Sequence, residues 1–234
     1  LAGILSVETA MCSGLQLDAD RIGFRLNNTT LPVHGGIRSE IAVDYPFQEG
    51  ESVRYSWEMM LSGPFPGDTP LNRWWSLAQW HDQPDRRIGE KWKDFPPRSP
   101  PVSIYFEERN GKPGIGVITN GRDKRSWTPV PRGEWLRLSV SMLWSRGDEG
   151  KLVFEIDGHP EARLVANGKN MYNGYQHYLK FGQYRHPQIK TDNTVFFRNL
   201  SIAKEPLRAS DAASARRDES TPLHSRSVST RKAA

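Results

Sequence analysis

The chain has 234 residues, of which 36% are hydrophobic and 10% aromatic, and its mean hydropathy is −0.66. No run approaches the roughly 18 consecutive apolar residues that a membrane-spanning helix needs, and 8 Trp with 9 Phe argue against a wholly disordered chain. The formal charge of +5 and a pI near 9.4 suit an acidic partner, either a nucleic acid or an anionic polysaccharide.

Both ends of the chain differ in composition from the middle. Residues 1–19 are weakly apolar, and we expect an N-terminal segment that is a processed form or the remnant of a signal peptide, as in a secreted or periplasmic protein. The lone Cys12 permits no intrachain disulfide and no cysteine-based metal site. Residues 205–234 are rich in Ala, Ser and Arg and contain no aromatic residue, which predicts a disordered tail.

Between residues 20 and 204 the hydrophobic pattern has a period of two, which is typical of β-strands with one buried face. The alternation predicts strands at 37–45, 53–59, 136–144, 152–156, 163–165, 178–185 and 196–202. The pair Asp157-Gly158 predicts a hairpin turn, and a short helical turn is expected near 72–78. Many short strands separated by Gly- and Pro-rich turns predict an all-β jelly-roll sandwich of two antiparallel sheets.

The first polar motif is the pair Gln79 and His81, which flank Trp80. Side chains two positions apart on a strand project from the same face. A Gln-x-His pair is common by chance, and alone it is better explained as polar residues on a solvent-facing strand.

The second motif is the predicted strand 178–185, where Tyr178, Lys180, Gly182 and Tyr184 share one face. A glycine inside a strand weakens it unless something must approach the backbone closely. We therefore interpret this face as the floor of a binding site, with a ligand lying across Gly182. The alternative is an ordinary amphipathic strand.

The third motif is the pair Arg38 and Glu40, which share a strand face. A neighbouring carboxylate orients an arginine so that it can receive a second anion through two parallel hydrogen bonds. Taken alone, the pair is better explained as a surface salt bridge.

In this order, Arg-Ser-Glu-Ile (38–41), Gln-Trp-His (79–81) and Tyr-Leu-Lys-Phe-Gly-Gln-Tyr (178–184) resemble the polysaccharide lyases built on a concave β-jelly roll. These include alginate lyases, glucuronan lyases and heparin lyase I-like enzymes, and the stretch 179–185, with Arg185 after the last tyrosine, looks most like the heparin lyase I-like group. The resemblance covers roughly residues 20–203. It implies a concanavalin A-like sandwich with a concave cleft and cleavage of a uronic-acid-containing polysaccharide by β-elimination. Trp80 and His186 depart from the usual alginate lyase pattern, so alginate is in doubt as the substrate.

The resemblance also implies five catalytic residues, which are Arg38, Gln79, His81, Lys180 and Tyr184. Arg38 and Gln79 would neutralise the substrate carboxylate, while His81, a side chain type that titrates near neutrality, would suit the base. Tyr184 would protonate the leaving oxygen. Because the nearby cations Lys180 and Arg38 favour a phenolate, Tyr184 would also suit the base, and the choice between Tyr184 and His81 stays open.

Further residues are candidates for contacting the sugar chain: Glu40, Tyr178, Trp74 and Trp75. For the two tryptophans, a place in the hydrophobic core is an equally good interpretation. His34 and His177 are weaker candidates for lining the cleft.

Two other functions remain open at this point. Glu155, Asp157 and Glu161 come close to the paired-carboxylate pattern of a glycoside hydrolase on the same fold. A non-catalytic, lectin-like carbohydrate-binding domain fits the aromatic content equally well. Nucleic-acid binding rests on the pI alone, since no nucleic-acid-binding motif is present.

The expected partner is an anionic polysaccharide that acts as substrate, with no nucleic acid and no membrane, and we expect a monomer. The chemistry requires no cofactor. Related lyases often hold a structural Ca²⁺, but the scattered Asp and Glu residues single out no ligands for one.

Overall fold

A computed structural model describes residues 3–9, 14–33 and 35–208, which form a sandwich of two antiparallel sheets. The all-β jelly-roll prediction is confirmed. No helix in the described part of the chain is long and apolar enough to cross a membrane.

The eight-stranded sheet carries the three polar motifs. Its strands, in spatial order, are β1 (Gly3–Thr9), β4 (Ile37–Asp44), β14 (Tyr178–Arg185), β6 (Trp75–His81), β7 (Val102–Arg109), β8 (Lys112–Thr119) and β10 (Thr128–Pro129), with β9 (Asp123–Lys124) also paired to β8. The strand β14 thus lies between β4 and β6, although the three are far apart in sequence.

The seven-stranded sheet covers the inner face of the first. Its strands, in spatial order, are β13 (His159–Asn167), β12 (Lys151–Ile156), β11 (Leu136–Leu143), β5 (Ser52–Leu61), β15 (Asn193–Lys204), β3 (Ile22–Leu26) and β2 (Leu15–Leu17). The hairpin predicted at Asp157-Gly158 connects β12 to β13.

Aromatic side chains fill the space between the sheets. Phe24 on β3 makes edge-to-face contacts with Phe181 on β14 and with Phe197 on β15, at ring-centre distances of 5.6 and 5.5 Å. Trp80 is fully buried against Tyr55 on β5. Burial of such large rings supplies most of the driving force for closing the sandwich. Because Trp80 points into this core, the opposite face of β6 is left for Gln79 and His81.

Two expectations about local structure are wrong. The helical turn expected near 72–78 is absent, because residues from Trp75 onward form β6; the 3₁₀ turns of the described chain include Arg86–Ile88 and Trp92–Asp94. The domain boundary expected at residue 20 is also wrong, since β1 and β2 precede it and each extends a sheet. β2 has only three residues, too few for a period-two pattern to be recognised.

The structure describes the first four residues of the predicted tail, 205–208. β15 finishes at Lys204, and Arg208 forms an ion pair with Glu155. Residues 209–234, Cys12 and His34 lie outside the described residues.

Candidate active site

The register of three neighbouring strands brings the polar motifs together. Antiparallel pairing places three pairs of predicted site residues directly opposite one another: Tyr184 and Arg38, Lys180 and Gln79, Tyr178 and His81. Paired residues on one face of a sheet have Cβ atoms about 5 Å apart, so the six side chains form a continuous polar surface.

A cleft of about 690 Å³ lies over this surface. Arg38, Gln79, His81, Lys180 and Tyr184 all line it, and the segment 95–100 forms part of its wall. The cleft therefore collects all five residues that the sequence nominated for catalysis.

Exposed tryptophans stand at the two ends of the β14 motif. Trp74 is 44% exposed and its ring centre lies 4.7 Å from that of Tyr184. Trp92 is 50% exposed and contacts Tyr178, with the ring centres 6.3 Å apart. Flat apolar rings that border a polar cleft suit stacking on sugar rings. Trp92 lies in a 3₁₀ turn of a long loop, where no periodic pattern could have indicated its position.

Arg38 is held on several sides. Its Nε donates to the Val33 carbonyl oxygen (3.2 Å), and its Nη1 donates to Glu8 Oε2 (2.6 Å). Nη1 also lies 3.5 Å from Glu40 Oε2, and the guanidinium carbon is 3.8 Å from the centre of the Tyr184 ring. Burial disfavours the charged form, but Glu40 and Glu8 outweigh it and raise the pKa of Arg38, so it stays cationic.

Glu40 is buried beneath the cleft, which makes its predicted contact with substrate wrong. Its Oε1 accepts a hydrogen bond of 2.7 Å from Gln79 Nε2, and its Oε2 faces Arg38. Burial raises the pKa of Glu40 despite the nearby cations Arg38 and Lys180. Its carboxyl group therefore orients Gln79 and Arg38, and one amide hydrogen of Gln79 is left for a ligand.

His81 is oriented by the residue that follows it. Its Nδ1 lies 2.9 Å from the Asp82 carbonyl oxygen and 3.0 Å from Asp82 Oδ1. Both partners can only accept, so the hydrogen-bond network places the proton of the neutral ring on Nδ1 and leaves Nε2 as a base.

The carboxylate of Asp82 is itself fixed from the other side. It is buried and accepts hydrogen bonds from Arg98. Burial alone would raise the pKa of Asp82, but its hydrogen bonds with His81 and Arg98 outweigh this and lower it. Asp82 is thus an ionised, fixed acceptor for the His81 ring.

Lys180 has an unexpected partner on the edge strand β1. Its Nζ lies 2.8 and 3.0 Å from the two oxygens of Glu8, and 5.4 Å from the centre of the Tyr178 ring. Tyr178 is only 7% exposed, and burial raises the pKa of its phenol far above the usual range. It therefore remains protonated and forms part of the floor of the cleft.

Two expectations for the cleft, about Trp75 and Gly182, differ from the structure. Trp75 is 2% exposed and packs in the core against Phe65 and Phe106, so the core alternative holds and no face is open to a sugar. Gly182 has φ +134°, and a methyl group added there would strike the Ser39 carbonyl oxygen. The close approach that requires Gly182 is made by the neighbouring strand, and the expected ligand plays no part in it.

His177 is not a cleft residue. It is buried beside Trp144, its Nδ1 lies 3.0 Å from the Tyr175 carbonyl oxygen, and its Nε2 accepts from the Tyr172 amide (3.2 Å). Burial lowers the pKa of His177 to about 4, so it is neutral at physiological pH.

The carboxylates proposed for a glycoside hydrolase do not converge. Asp157 lies in the β12–β13 turn of the seven-stranded sheet and its side chain is 78% exposed. Glu161 is also exposed and pairs with His159 at 3.0 Å. These positions give no cleft with two facing carboxylates.

Metal ligands are not gathered anywhere in the described residues. No group of three or more His, Cys, Asp or Glu side chains there is arranged to hold an ion.

The fold and the cleft define a class of protein, the jelly-roll polysaccharide lyases. The model of the family described as "Polysaccharide lyase" matches residues 16–201, and the chain belongs to that family. The protein is therefore a polysaccharide lyase. No curated protein matches the sequence significantly.

Solved structures with the same fold are distant in sequence. The endo-β-1,4-glucuronan lyase from the fungus Trichoderma reesei is 15% identical, with 87% of each chain covered and a TM-score of 0.59. The alginate lyase Aly36B is 12% identical over 87% of this chain and 88% of its own, with a TM-score of 0.58. An alginate lyase from Pseudomonas aeruginosa is 16% identical over 83% and 87%, with a TM-score of 0.56. At these identities the likeness establishes the fold.

Proposed function

We propose that the protein cleaves a uronic-acid-containing polysaccharide by β-elimination and leaves an unsaturated uronate at the new end. The observation that carries this proposal is the convergence of Arg38, Gln79, His81, Lys180 and Tyr184 in one cleft. They supply an anion-binding pair, a base and a proton donor, and β-elimination needs each of these.

The first difficulty of the reaction is the weak acidity of the C5 proton. The neighbouring carboxylate is already anionic, so removal of the proton builds further negative charge on it. Arg38 and the free amide hydrogen of Gln79 would donate to this carboxylate as enolate character develops. Both are fixed beforehand by Glu40, so they need little reorganisation during the reaction.

The proton transfers would fall to His81 and Tyr184. One base removes the C5 proton; its electron pair forms the C4–C5 double bond as the C4–O4 bond breaks, and an acid protonates O4. Nε2 of His81 is positioned to accept a proton because Nδ1 is used by Asp82. Tyr184 donates to the leaving oxygen or, for the opposite configuration at C5, serves as the base.

The substrate class follows from the charge of the cleft. Arg38, Lys180, Arg98 and Lys124 all line it and favour a polyanion. A chain of uronate residues supplies one carboxylate per sugar, and the tryptophans at the two ends suit its pyranose rings. Of the three solved structures described above, two are named as alginate lyases and one as a glucuronan lyase, so both polymers belong among the substrates to be tested.

The test is a panel of glucuronan, alginate, heparin and bacterial exopolysaccharides. We expect at least one to yield products with the ultraviolet absorbance of a conjugated unsaturated uronate. Tyr184→Phe and His81→Ala should abolish this signal while the thermal unfolding transition is retained. Tyr45→Phe and His159→Ala, which make the same chemical changes outside the cleft, should stay active.

A panel that remains silent, or activity that survives both cleft substitutions, would contradict the proposed mechanism. Saturable binding of a uronate polymer without cleavage would instead favour the lectin-like alternative.

A further inference from the structure

Glu8, on the edge strand next to β4, contacts both cations of the cleft. One of its oxygens lies 2.6 Å from Arg38 Nη1, and the two oxygens lie 2.8 and 3.0 Å from Lys180 Nζ. Arg38 and Lys180 line the cleft, whereas Glu8 does not. The carboxylate therefore contacts both cations without being among the residues that line the cleft.

The position of Glu8 comes from the edge strand β1. In the pairing of β1 with β4, Glu8 lies directly opposite Glu40, so both carboxylates point to the face that carries the cleft. Glu40 already accepts from Gln79, and it lies farther from Arg38 than Glu8 does. Of the ion pairs seen among the described residues, those with Glu8 are thus the shortest for both cations.

A carboxylate at the position of Glu8 offsets the repulsion between Arg38 and Lys180. A guanidinium and an ammonium held close together in a partly buried site repel each other, and an anion between them offsets that repulsion. Burial opposes the ionised form of Glu8, but Lys180 and Arg38 lower its pKa, so the carboxylate is charged at neutral pH. Without it, Lys180 would lose the only partner of the described chain that bonds its ammonium directly.

We propose that Glu8 is a positioning residue of the lyase reaction, which holds Arg38 and Lys180 in the orientation that receives the substrate carboxylate. This rests on the proposed function of the cleft. Glu8 lies on β1, which precedes the segment 16–201 that the family model matches.

The kinetic test separates the charge of Glu8 from its size. Glu8→Gln keeps the size and removes the charge, whereas Glu8→Asp keeps the charge and shortens the side chain. We expect kcat to fall about tenfold or more in Glu8→Gln and by less in Glu8→Asp, because misplaced catalytic groups slow the chemical step. KM should change by less than about threefold. A purely structural role would make the two variants similar, or the shorter one worse.

The matched control is Glu51→Gln. Glu51 forms an ion pair of 2.7 Å with Lys204, which ends β15 in the other sheet and lies away from the cleft. This variant should keep the wild-type kcat and KM. All assays are run at a temperature at which circular dichroism shows every variant to be folded.

A second measurement needs no activity. Limited acetylation followed by mass spectrometry reports how reactive each lysine is. Glu8→Gln should raise the reactivity of Lys180 several-fold relative to Lys204, and Glu51→Gln should do the reverse.

Each contrary outcome has a distinct meaning. A Glu8→Gln variant with wild-type kcat, or one whose kcat/KM rises because Glu8 had competed with substrate, overturns the proposal, as does unchanged reactivity of Lys180. A wild-type protein that cleaves no uronate polymer contradicts the proposed function, and the acetylation then still decides whether Glu8 holds the two cations.

Discussion

The guanidinium of Arg38 lies 3.8 Å from the centre of the Tyr184 ring, directly opposite it in the pairing of β4 with β14. A planar guanidinium can stack on a ring and bond carboxylates at its edge at the same time, which a lysine ammonium cannot do. Arg38→Lys should therefore lower kcat by about 100-fold, as loss of a preorganised charge-stabilising donor does, although the charge is retained.

The measurement is the initial rate of unsaturated-product formation at saturating substrate. Arg137→Lys, a similar change at an exposed ion pair with Glu58 on the other sheet, should have the wild-type rate. An unchanged kcat in Arg38→Lys would show that any cation at this position is sufficient.

Asp82 gives a second kinetic prediction through the tautomer of His81. In Asp82→Asn the new amide can donate to Nδ1, which would move the ring proton to Nε2 and remove the base. We expect kcat to fall about 100-fold or more, in line with the cost of a wrong tautomer in other histidine-dependent enzymes. Asp157→Asn, in the exposed hairpin turn, should keep the wild-type kcat. Retention of activity by Asp82→Asn would show either that the backbone carbonyl of residue 82 is enough to keep the proton on Nδ1 or that Tyr184 is the only base.

Trp92 should contribute to substrate binding and little to stability. Because its ring is half exposed beside Tyr178, Trp92→Ala should raise KM about tenfold, which corresponds to about 1.4 kcal/mol of lost contact, with the unfolding temperature nearly unchanged. Trp75→Ala, one of the largest buried side chains, should instead lower stability by about 3–5 kcal/mol. Equal effects of the two changes on KM and on stability would contradict this division.

Alternation along strands made much of the site predictable. Strand periodicity placed Gln79 with His81 and Lys180 with Tyr184 on common faces, and the structure keeps both pairs in the cleft. The order of the strands was not predictable from periodicity, because pairing of β14 with β4 and β6 joins segments more than 90 residues apart along the chain. The resemblance to the lyases predicted one concave cleft that holds the three motifs, but it did not give the order of the strands.

The residues that were missed lie where alternation does not apply. Asp82 follows the last residue of β6, so its side chain is free to turn back toward His81. Trp92 belongs to a loop, and Glu8 to an edge strand whose burial depends on β4. Gly182 was misjudged because a bulge between Phe181 and Tyr184 changes the direction of its missing side chain.

His177 predicts how stability depends on pH. Burial lowers its pKa to about 4, whereas an unfolded histidine titrates near 6.5. Between about pH 6.5 and pH 4 the unfolded chain therefore binds a proton that folded His177 does not bind. The contribution of neutral His177 to the free energy of unfolding is complete above about pH 6.5 and is lost as pH falls toward 4. The loss from this group should reach about 3 kcal/mol.

The check is urea unfolding of the wild type and His177→Gln at pH 7 and pH 4.5. The variant should lose less free energy of unfolding between the two pH values, whatever its stability at pH 7. Equal losses in the two proteins would show that His177 does not titrate as its burial requires.

Gly182 gives the last prediction, which links the packing of β14 to its chemistry. An alanine methyl group there would lie 2.8 Å from the Phe24 ring and 2.9 Å from the Glu40 Cα, at a φ of +134° that L-residues rarely adopt. Gly182→Ala should destabilise the protein by about 3 kcal/mol or more, whereas Gly63→Ala, with open space around it, should change stability by less than about 0.5 kcal/mol.

Gly182→Ala should also lower the catalytic rate. Relief of the clash must move β14 away from β4, and this movement would separate Tyr184 from Arg38 and Lys180 from Glu8. We therefore expect kcat of folded Gly182→Ala to fall in proportion to that displacement, by about 100-fold for a shift near 1 Å. A folded, destabilised variant with wild-type kcat would mean that the core side of the bulge absorbs the methyl group and leaves the cleft intact.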